Sequence, residues 1–150
     1  MIAVIQRVSR ASVAVDSENV SEIGQGILIL LGVSREDDRE DCRLLADKIS
    51  KLRIFKDDNG KMNLSVNDVQ GSVIVVPNFT LLASYKKGNR PDYFQSAPPD
   101  TANELYEYFI SYIKNYVSNV GTGVFGADMK VDICNDGPVT ITMDSKVLRK

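Results

Sequence analysis

Apolar and polar side chains alternate through Ile2, Val4 and Val8 and again through Val13 and Val15, the period of a strand with one buried face. The alternation breaks at Asp16-Ser-Glu-Asn19, whose side chains favour a turn, so a long strand and a hairpin are predicted. After Gly24 and Gly26 an unbroken apolar run, Ile27-Leu-Ile-Leu-Leu31 continuing through Gly32 to Val33, reads as a buried strand. It is far short of the roughly 18 residues that span a bilayer. The period then lengthens: a charged stretch from Arg35 to Asp41 feeds Cys42, Leu45, Ala46, Ile49 and Leu52 at helical spacing, with the charges on a solvated face. Leu52-Arg-Ile-Phe55 returns to strand and closes at Asp57-Asp-Asn-Gly60, whose Asn-Gly pair signals a tight turn.

Gly71 to Leu82, with Val73, Ile74, Val75, Val76, Phe79, Leu81 and Leu82, is the expected central strand. Pro77 within it lacks a ladder donor, so an edge or bulge belongs there. Ser84 to Asp92 reads as an ordered surface loop, and a second helix follows Pro98-Pro-Asp100, with Ala102, Leu105, Tyr106, Phe109, Ile113 and Tyr116 on one stripe. Two strands, Lys130 to Cys134 and Val139 to Met143, joined by a turn at Asn135-Asp-Gly-Pro138, end the pattern. Strands, helix, strands, helix, strands, without regular βαβ alternation, predict an α+β fold with two main helices and a mainly antiparallel or mixed sheet curled towards a barrel. With 150 residues, no linker and no repeat, residues 1–150 are expected to form a single domain.

Composition narrows the function. Lys and Arg number 18 against 20 Asp and Glu, a net charge of -2, which argues against a protein held to long DNA or RNA by phosphate neutralisation and leaves room for a small RNA contact. Histidine is absent, so Ser-His-Asp triads, Cys-His pairs and His-ligated zinc are excluded together. Cys42 and Cys134 lack Cys-x-x-Cys spacing and read as reduced, buried thiols. The N-terminal segment has no basic start, apolar run or cleavage site, so the chain is expected in the cytoplasm, with no membrane partner.

Gly121-Thr-Gly123-Val-Phe-Gly126 fits G-x-G-x-x-G, but a helix precedes it and a strand follows, the reverse of a dinucleotide-binding context. Asp57, Asp58 and Asp136 stand at turns and read as turn formers, so no metal site is expected. Thr80 is the one hydroxyl at an interesting place, where an apolar strand breaks into a loop, yet no histidine stands by to activate it. Gly137-Pro138 is the other unusual feature: an X-Pro bond in a tight turn is where a cis peptide is retained, and a rigid turn with outward carbonyls suits a steric gauge for a ligand.

Several segments together resemble one family, the D-aminoacyl-tRNA deacylases, over nearly the whole chain. Met1-Ile-Ala-Val-Ile-Gln-Arg-Val8 is similar to the family's opening, and Leu52-Arg-Ile-Phe55 followed by Gly60-Lys-Met-Asn63 to its middle block. Lys87-Gly-Asn-Arg-Pro91 and Thr122-Gly-Val-Phe-Gly-Ala-Asp-Met129, running on to Asn135-Asp-Gly-Pro-Val-Thr140, match two further signatures in order and spacing. A third signature, Ser-Gln-x-Thr in the family, reads Pro77-Asn-Phe-Thr80 here. Asn78 still presents an amide, one methylene shorter than Gln, while Pro77 has no backbone donor, which points to a variant pocket or shifted substrate preference.

The resemblance implies a homodimer of barrel-based subunits with two active sites at the interface. It implies that Gly137-Pro138 is a cis peptide reaching into the other subunit's pocket, where its carbonyls exclude L-aminoacyl groups. Arg7 is expected to brace that turn, Phe125 and Met129 to line the pocket, and Lys86, Lys87 and Arg90 to meet phosphates at the tRNA acceptor 3′ end. Asn78, Phe79 and Thr80 form the expected catalytic group, acting without metal or cofactor through RNA-assisted hydrolysis, with a covalent Thr80 acyl-enzyme as the competing mechanism. Because chirality is then enforced by exclusion, a glycyl ester, such as glycine mischarged on tRNA(Ala), is a further expected substrate. Two other readings remain open at this point: a non-catalytic dimer that binds the acceptor end, and a deacylase directed at small L-aminoacyl-tRNAs.

Overall fold

The computed structural model describes residues 1–150. Strand β1 (Ile2–Val15) turns at Asp16 and Ser17, both left-handed with φ of 51° and 66°, into β2 (Glu18–Ile23), and β3 (Gly26–Gly32) follows along the same partner. Helix α1 (Arg39–Ser50) begins in a capping box, in which Asp38 accepts from the Glu40 and Asp41 N–H groups and the Asp41 side chain accepts from the Asp38 N–H. The short pair β4 (Phe55–Lys56) and β5 (Met62–Leu64) makes a separate ribbon. Then come β6 (Ser72–Pro77), a one-turn 3-10 helix (Phe79–Leu82), α2 (Pro99–Ile113), β7 (Val120–Thr122), β8 (Lys130–Asp144) and the terminal α3 (Ser145–Leu148).

The main sheet runs β2-β1-β3-β6-β7, with β8 also on β1. The β3–β6 and β6–β7 pairs are parallel and the others antiparallel, so the sheet is mixed. Ser21 Oγ on β2 donates to the Thr122 carbonyl on β7 at 2.6 Å, which draws the two ends together into a nearly closed barrel. The side-chain period of two explains why the run 27–33 is apolar throughout. Ile27, Ile29 and Leu31 face α1 and α2 with Val73, Val75, Leu45, Ile49 and Phe109, whereas Leu28 faces the inside of the curl with Val8, Val13, Ile23 and Ile74. Each such fully buried side chain contributes about 1.5–3 kcal/mol.

The structure corrects the sequence pattern at three places. Residues 52–54 are not strand; only Phe55 and Lys56 pair, because the Ile54 carbonyl is taken by Arg7 Nη1 at 2.7 Å and not by a ladder partner. The central strand stops at Pro77, and Phe79 to Leu82 wind into the 3-10 turn, so Thr80 stands on that turn and not on a strand. Residues 130–144 form one strand, because both halves pair with β1: Val131 sits opposite Val13 and Cys134 opposite Arg10, then Thr140 opposite Gln6 and Asp144 opposite Ile2. The expected strand-to-strand turn is therefore a bulge, in which the chain runs from Asn135 to Thr140 while β1 moves only from Val8 to Gln6. Cys42 is buried as expected, and burial, then the nearby Asp41 and Asp37, pushes its thiol up to about 12; Cys134 is only half-buried. No helix is long and apolar enough to cross a membrane.

Candidate active site

A cavity of about 620 Å³ opens where the ends of β3 and β6, the 3-10 turn, the first turns of α2 and the loop after β7 meet. Its wall is mostly apolar, with Leu31, Val76, Ala102, Phe125 and Met129 among the lining residues beside Asn78, Phe79 and Thr80. Two sequence blocks that read separately as site candidates, 78–80 and 125–129, are thus brought together.

The local geometry follows from the residues. Pro77 ends β6, and the Asn78 N–H makes the next bond to the Leu31 carbonyl at 2.8 Å. Asn78 is then extended, and its Oδ1 caps the turn, accepting the Thr80 N–H at 3.2 Å and also the Thr80 hydroxyl. Ser96 Oγ donates to the Phe79 carbonyl at 3.2 Å, and the Phe79 ring meets Tyr93 edge to face at 4.9 Å. Gly32 lets the turn sit close on β3: a Cβ there would meet the Asn78 carbonyl oxygen at 3.1 Å and overlap Leu82. Gly123 has the same role opposite, since a Cβ would lie 2.7 Å from Met129 Sδ and 3.1 Å from Pro77 Cδ.

Ionisable groups are almost absent from this wall, the lining holding only Tyr106 and Asp128. Tyr106 is committed to the scaffold, donating to the Val75 carbonyl at 2.8 Å and accepting the Gly123 N–H at 3.2 Å, and burial pushes its phenol up to about 12. Asp128 stands at the rim with a side chain 92% exposed. Nowhere do three or more Cys, Asp or Glu side chains gather as a metal cluster.

Arg7 and Gly137-Pro138 form a second assembly that does not line this cavity. Arg7 is buried, donating from Nε to the Asp136 carbonyl at 3.1 Å and from Nη1 to Ile54, and its Nε also lies 3.4 Å from the Asp136 carboxylate. Asn135 Nδ2 donates to both the Arg7 carbonyl at 3.1 Å and the Val139 carbonyl at 3.0 Å, so the bulge is pinned on both sides. Gly137 has φ of 129° and its missing Cβ would lie 3.1 Å from Arg7 Nη2, so glycine is required. The Gly137-Pro138 bond is cis, and both residues are exposed. Lys86, Lys87 and Arg90 lie elsewhere again, exposed on the 84–92 loop.

Tyr106, Ser96 and Tyr93 are not legible as site residues in the sequence, whereas Gly123 falls within the 122–129 block singled out there. Tyr106 sits in a helical apolar stripe, to which its ring belongs, and only the topology shows that its hydroxyl ties β6 to the Gly123 loop beneath the cavity.

Comparison with known proteins adds an independent line. A family model described as D-Tyr-tRNA(Tyr) deacylase matches residues 4–144. A D-aminoacyl-tRNA deacylase of Thermosipho africanus is 53% identical over 146 residues, covering 97% of this chain and 98% of the relative. One of Anaeromyxobacter dehalogenans is 54% identical over 148 residues, covering 99% of each. A solved structure described as the c-Myc DNA Unwinding Element Binding Protein superposes with a TM-score of 0.91 at 42% identity, over 96% of this chain and 98% of that one.

Proposed function

The chain belongs to the D-Tyr-tRNA(Tyr) deacylase family, and from that premise we propose how its cavity acts on D-aminoacyl-tRNA. It is a deacylase, hydrolysing the ester that joins a D-amino acid to tRNA and releasing both. The observation that carries the mechanism is the convergence of Asn78, Phe79 and Thr80 on a mostly apolar cavity whose only carboxylate, Asp128, is 92% exposed. Such a site works by position and fixed dipoles.

The Asn78 cap takes the Thr80 N–H, and the Phe79 N–H is not part of it. We assign the Phe79 N–H to the oxyanion, a contribution of roughly 3–4 kcal/mol on the usual scale. Thr80 donates its hydroxyl proton to an amide oxygen, which is too weak a base to accept that proton outright, so Thr80 orients and does not attack. Water adds to the ester carbonyl, the bond to the ribose oxygen breaks, and the proton from water reaches that oxygen through the neighbouring ribose hydroxyl. Asn78 Nδ2, free of the cap, fixes the ribose or the amino group. Phe125 and Met129 enclose the reacting end, and no metal or cofactor enters the step.

Chiral selection is assigned to Gly137-Pro138. The bulge is pinned by Arg7 and Asn135, exposed, and not part of the cavity wall of its own chain, which suits a screen presented to the cavity of a second copy in a homodimer, with Arg7 as its brace. Exclusion at the α-carbon accepts glycine, so glycyl-tRNA is a second substrate. Residues 1–150 act as one domain, in the cytoplasm where charged tRNA is used, and meet the acceptor 3′ end through Lys86, Lys87 and Arg90.

Side-by-side deacylation of D-tyrosyl-, L-tyrosyl- and glycyl-tRNA, with and without chelator, tests this. Rapid, chelator-insensitive loss of the D- and glycyl esters with the L-ester spared is expected. Loss of the L-ester at a comparable rate would remove the chiral screen, and dependence on a metal would remove the mechanism.

A further inference from the structure

Mutual backbone bonds between Ser84 and Asp92, at 2.8 and 2.9 Å, close the 84–92 segment into a small loop. Tyr85 at its base is 81% exposed and Phe94 just beyond it is 74% exposed. Between them the tip carries Lys86, Lys87 and Arg90, all exposed and none in an ion pair. The segment is tied to the cavity: Arg35 Nε donates to the Phe94 carbonyl, Tyr93 meets Phe79 edge to face, and Ser96 holds the Phe79 carbonyl. Phe79 itself, on the cavity wall, is 58% exposed. Aromatic rings left in water and interleaved with unpaired cations are the composition of a platform for unpaired nucleotides, in which every base offers a face to stack and every linkage a phosphate.

Resting on the deacylase reading above, we propose that Tyr85 and Phe94 stack the unpaired acceptor-end nucleotides that precede the aminoacylated ribose, while Lys86, Lys87 and Arg90 meet their phosphates. Charge selects this occupant. On a chain of net charge -2, the patch is locally cationic and complements a polyanion. A second copy docked symmetrically on the same face would set the three cations against their own counterparts. The platform guides the strand into the cavity and contributes to binding, not to the chemical step.

The test compares D-tyrosyl-tRNA with the D-tyrosyl ester of adenosine, which lacks the preceding nucleotides. A Tyr85→Ser, Phe94→Ser double variant should raise KM for the tRNA by about 5- to 150-fold per ring, the equivalent of roughly 1–3 kcal/mol of stacking. The adenosine ester should keep its wild-type KM and kcat. Replacing Lys86, Lys87 and Arg90 by Gln should flatten the dependence of log KM for the tRNA on log salt by about 0.7 for each phosphate no longer neutralised. A single-stranded acceptor-end oligonucleotide carrying 2-aminopurine should be quenched by the wild type and not by the aromatic double variant. Unchanged KM for the tRNA together with unchanged quenching overturns the platform, as does a fall in solution mass of the double variant, which would make this a face between copies. If the wild type cleaves neither ester, the deacylase reading fails, and the quenching experiment still decides the platform.

Discussion

The clamp around Met1 and Asp41 buries charge and pairs it, while the cavity wall holds almost no charge at all. The Met1 ammonium donates to Asp37 Oδ1 at 2.6 Å and to Ser145 Oγ at 2.8 Å. Ser145 Oγ donates in turn to Asp41 Oδ1 at 2.7 Å, and Arg149 grips the same carboxylate from Nε at 3.0 Å and Nη2 at 2.7 Å. Burial by itself would raise the Asp41 pKa, but the hydrogen bonds from Arg149, Ser145 and the Asp38 N–H outweigh it and hold the group well below its ordinary 3.8. Displaced ionisations of this kind usually point towards a functional site. Here the lowered carboxylate marks a clamp that fastens α3 and the first residue to α1, while the cavity holds only Tyr106, raised by burial and committed to the scaffold, and the exposed Asp128. A site that depends on position needs a rigid frame more than it needs a shifted pKa.

The clamp offers the largest way to break that contrast. Asp41→Ala removes one partner of a buried network and leaves Ser145, Arg149 and the Asp38 N–H unanswered, a loss of about 3 kcal/mol in unfolding free energy by urea titration. The sign with pH is fixed. Because the folded-state pKa lies below the unfolded one, Asp41 contributes fully above about pH 4, and the contribution fades as pH falls towards the depressed folded value. Melting temperatures of the wild type and Asp41→Asn should therefore differ most at neutral pH and converge on acidification from pH 4 to 2. A gap that stays constant over that range would show that the carboxylate is not held as described.

Next in size is Arg7, a buried cation that holds the 135–140 bulge and takes no part in the clamp. Arg7→Ala leaves the Ile54 and Asp136 carbonyls without their donor, and should cost about 2–3 kcal/mol on the scale of hydrogen bonds to charged groups. The sharper readout is selectivity: once the bulge loosens, the ratio of D- to L-tyrosyl-tRNA hydrolysis should fall by about tenfold or more, with the adenosine-side binding unchanged. A variant that loses stability and keeps its full D/L ratio would make Arg7 a structural residue only.

The sequence makes some of this contrast legible and hides the rest for physical reasons. Strand β3 and both long helices announce themselves through period and through runs such as 27–33, since burial on one or both faces imposes the pattern locally. Strand β1 is legible as a strand, but Ala3, Ile5 and Ala11 join Val8 and Val13 on its buried face, while Ile2, Val4 and Val15 are only half-buried. The clamp leaves no such trace: Asp37, Asp38 and Asp41 look like a solvated charge run, yet Asp37 answers Met1, and Asp38 and Asp41 answer Arg149 and Ser145 more than a hundred positions away. The bulge at 135–140 looks like a turn between two strands, because turn residues report a local bend and not which strand lies on either side. Residues 78–80 and 125–129 are visible as motifs, whereas the cavity that joins them exists only through the parallel β3–β6 and β6–β7 pairings.

Asn78 probes the cavity side of the contrast with a smaller change. Asn78→Ala removes the cap from the 3-10 turn, and should lower stability by about 1 kcal/mol, the usual value for a lost cap. Deacylation should fall by more than that loss of stability explains, because the Thr80 N–H and hydroxyl both lose their acceptor and the Phe79 N–H its fixed direction. Asn78→Asp keeps the acceptor but places a negative charge beside the developing oxyanion, so kcat should drop further while the turn remains capped. Near-UV circular dichroism or amide exchange at Phe79 to Leu82 would report the cap separately from the rate.

Thr80→Val is expected to have the smallest effect and to say the most about mechanism. Valine keeps the branched shape and the backbone N–H that bonds Asn78 Oδ1, and deletes only the hydroxyl. If Thr80 orients, one hydrogen bond is lost and the rate should fall by about tenfold or less. If Thr80 were the nucleophile, its removal would cost orders of magnitude, on the scale of about a millionfold seen when an acylating hydroxyl is deleted. The pH profile separates the two further. An activated hydroxyl needs a base and gives a plateau or bell set by that base, yet Tyr106 is bonded on both sides and Asp128 is at the open rim. Between pH 6 and 8.5 the variant and the wild type should therefore run parallel, and no pKa should appear in one that is absent from the other.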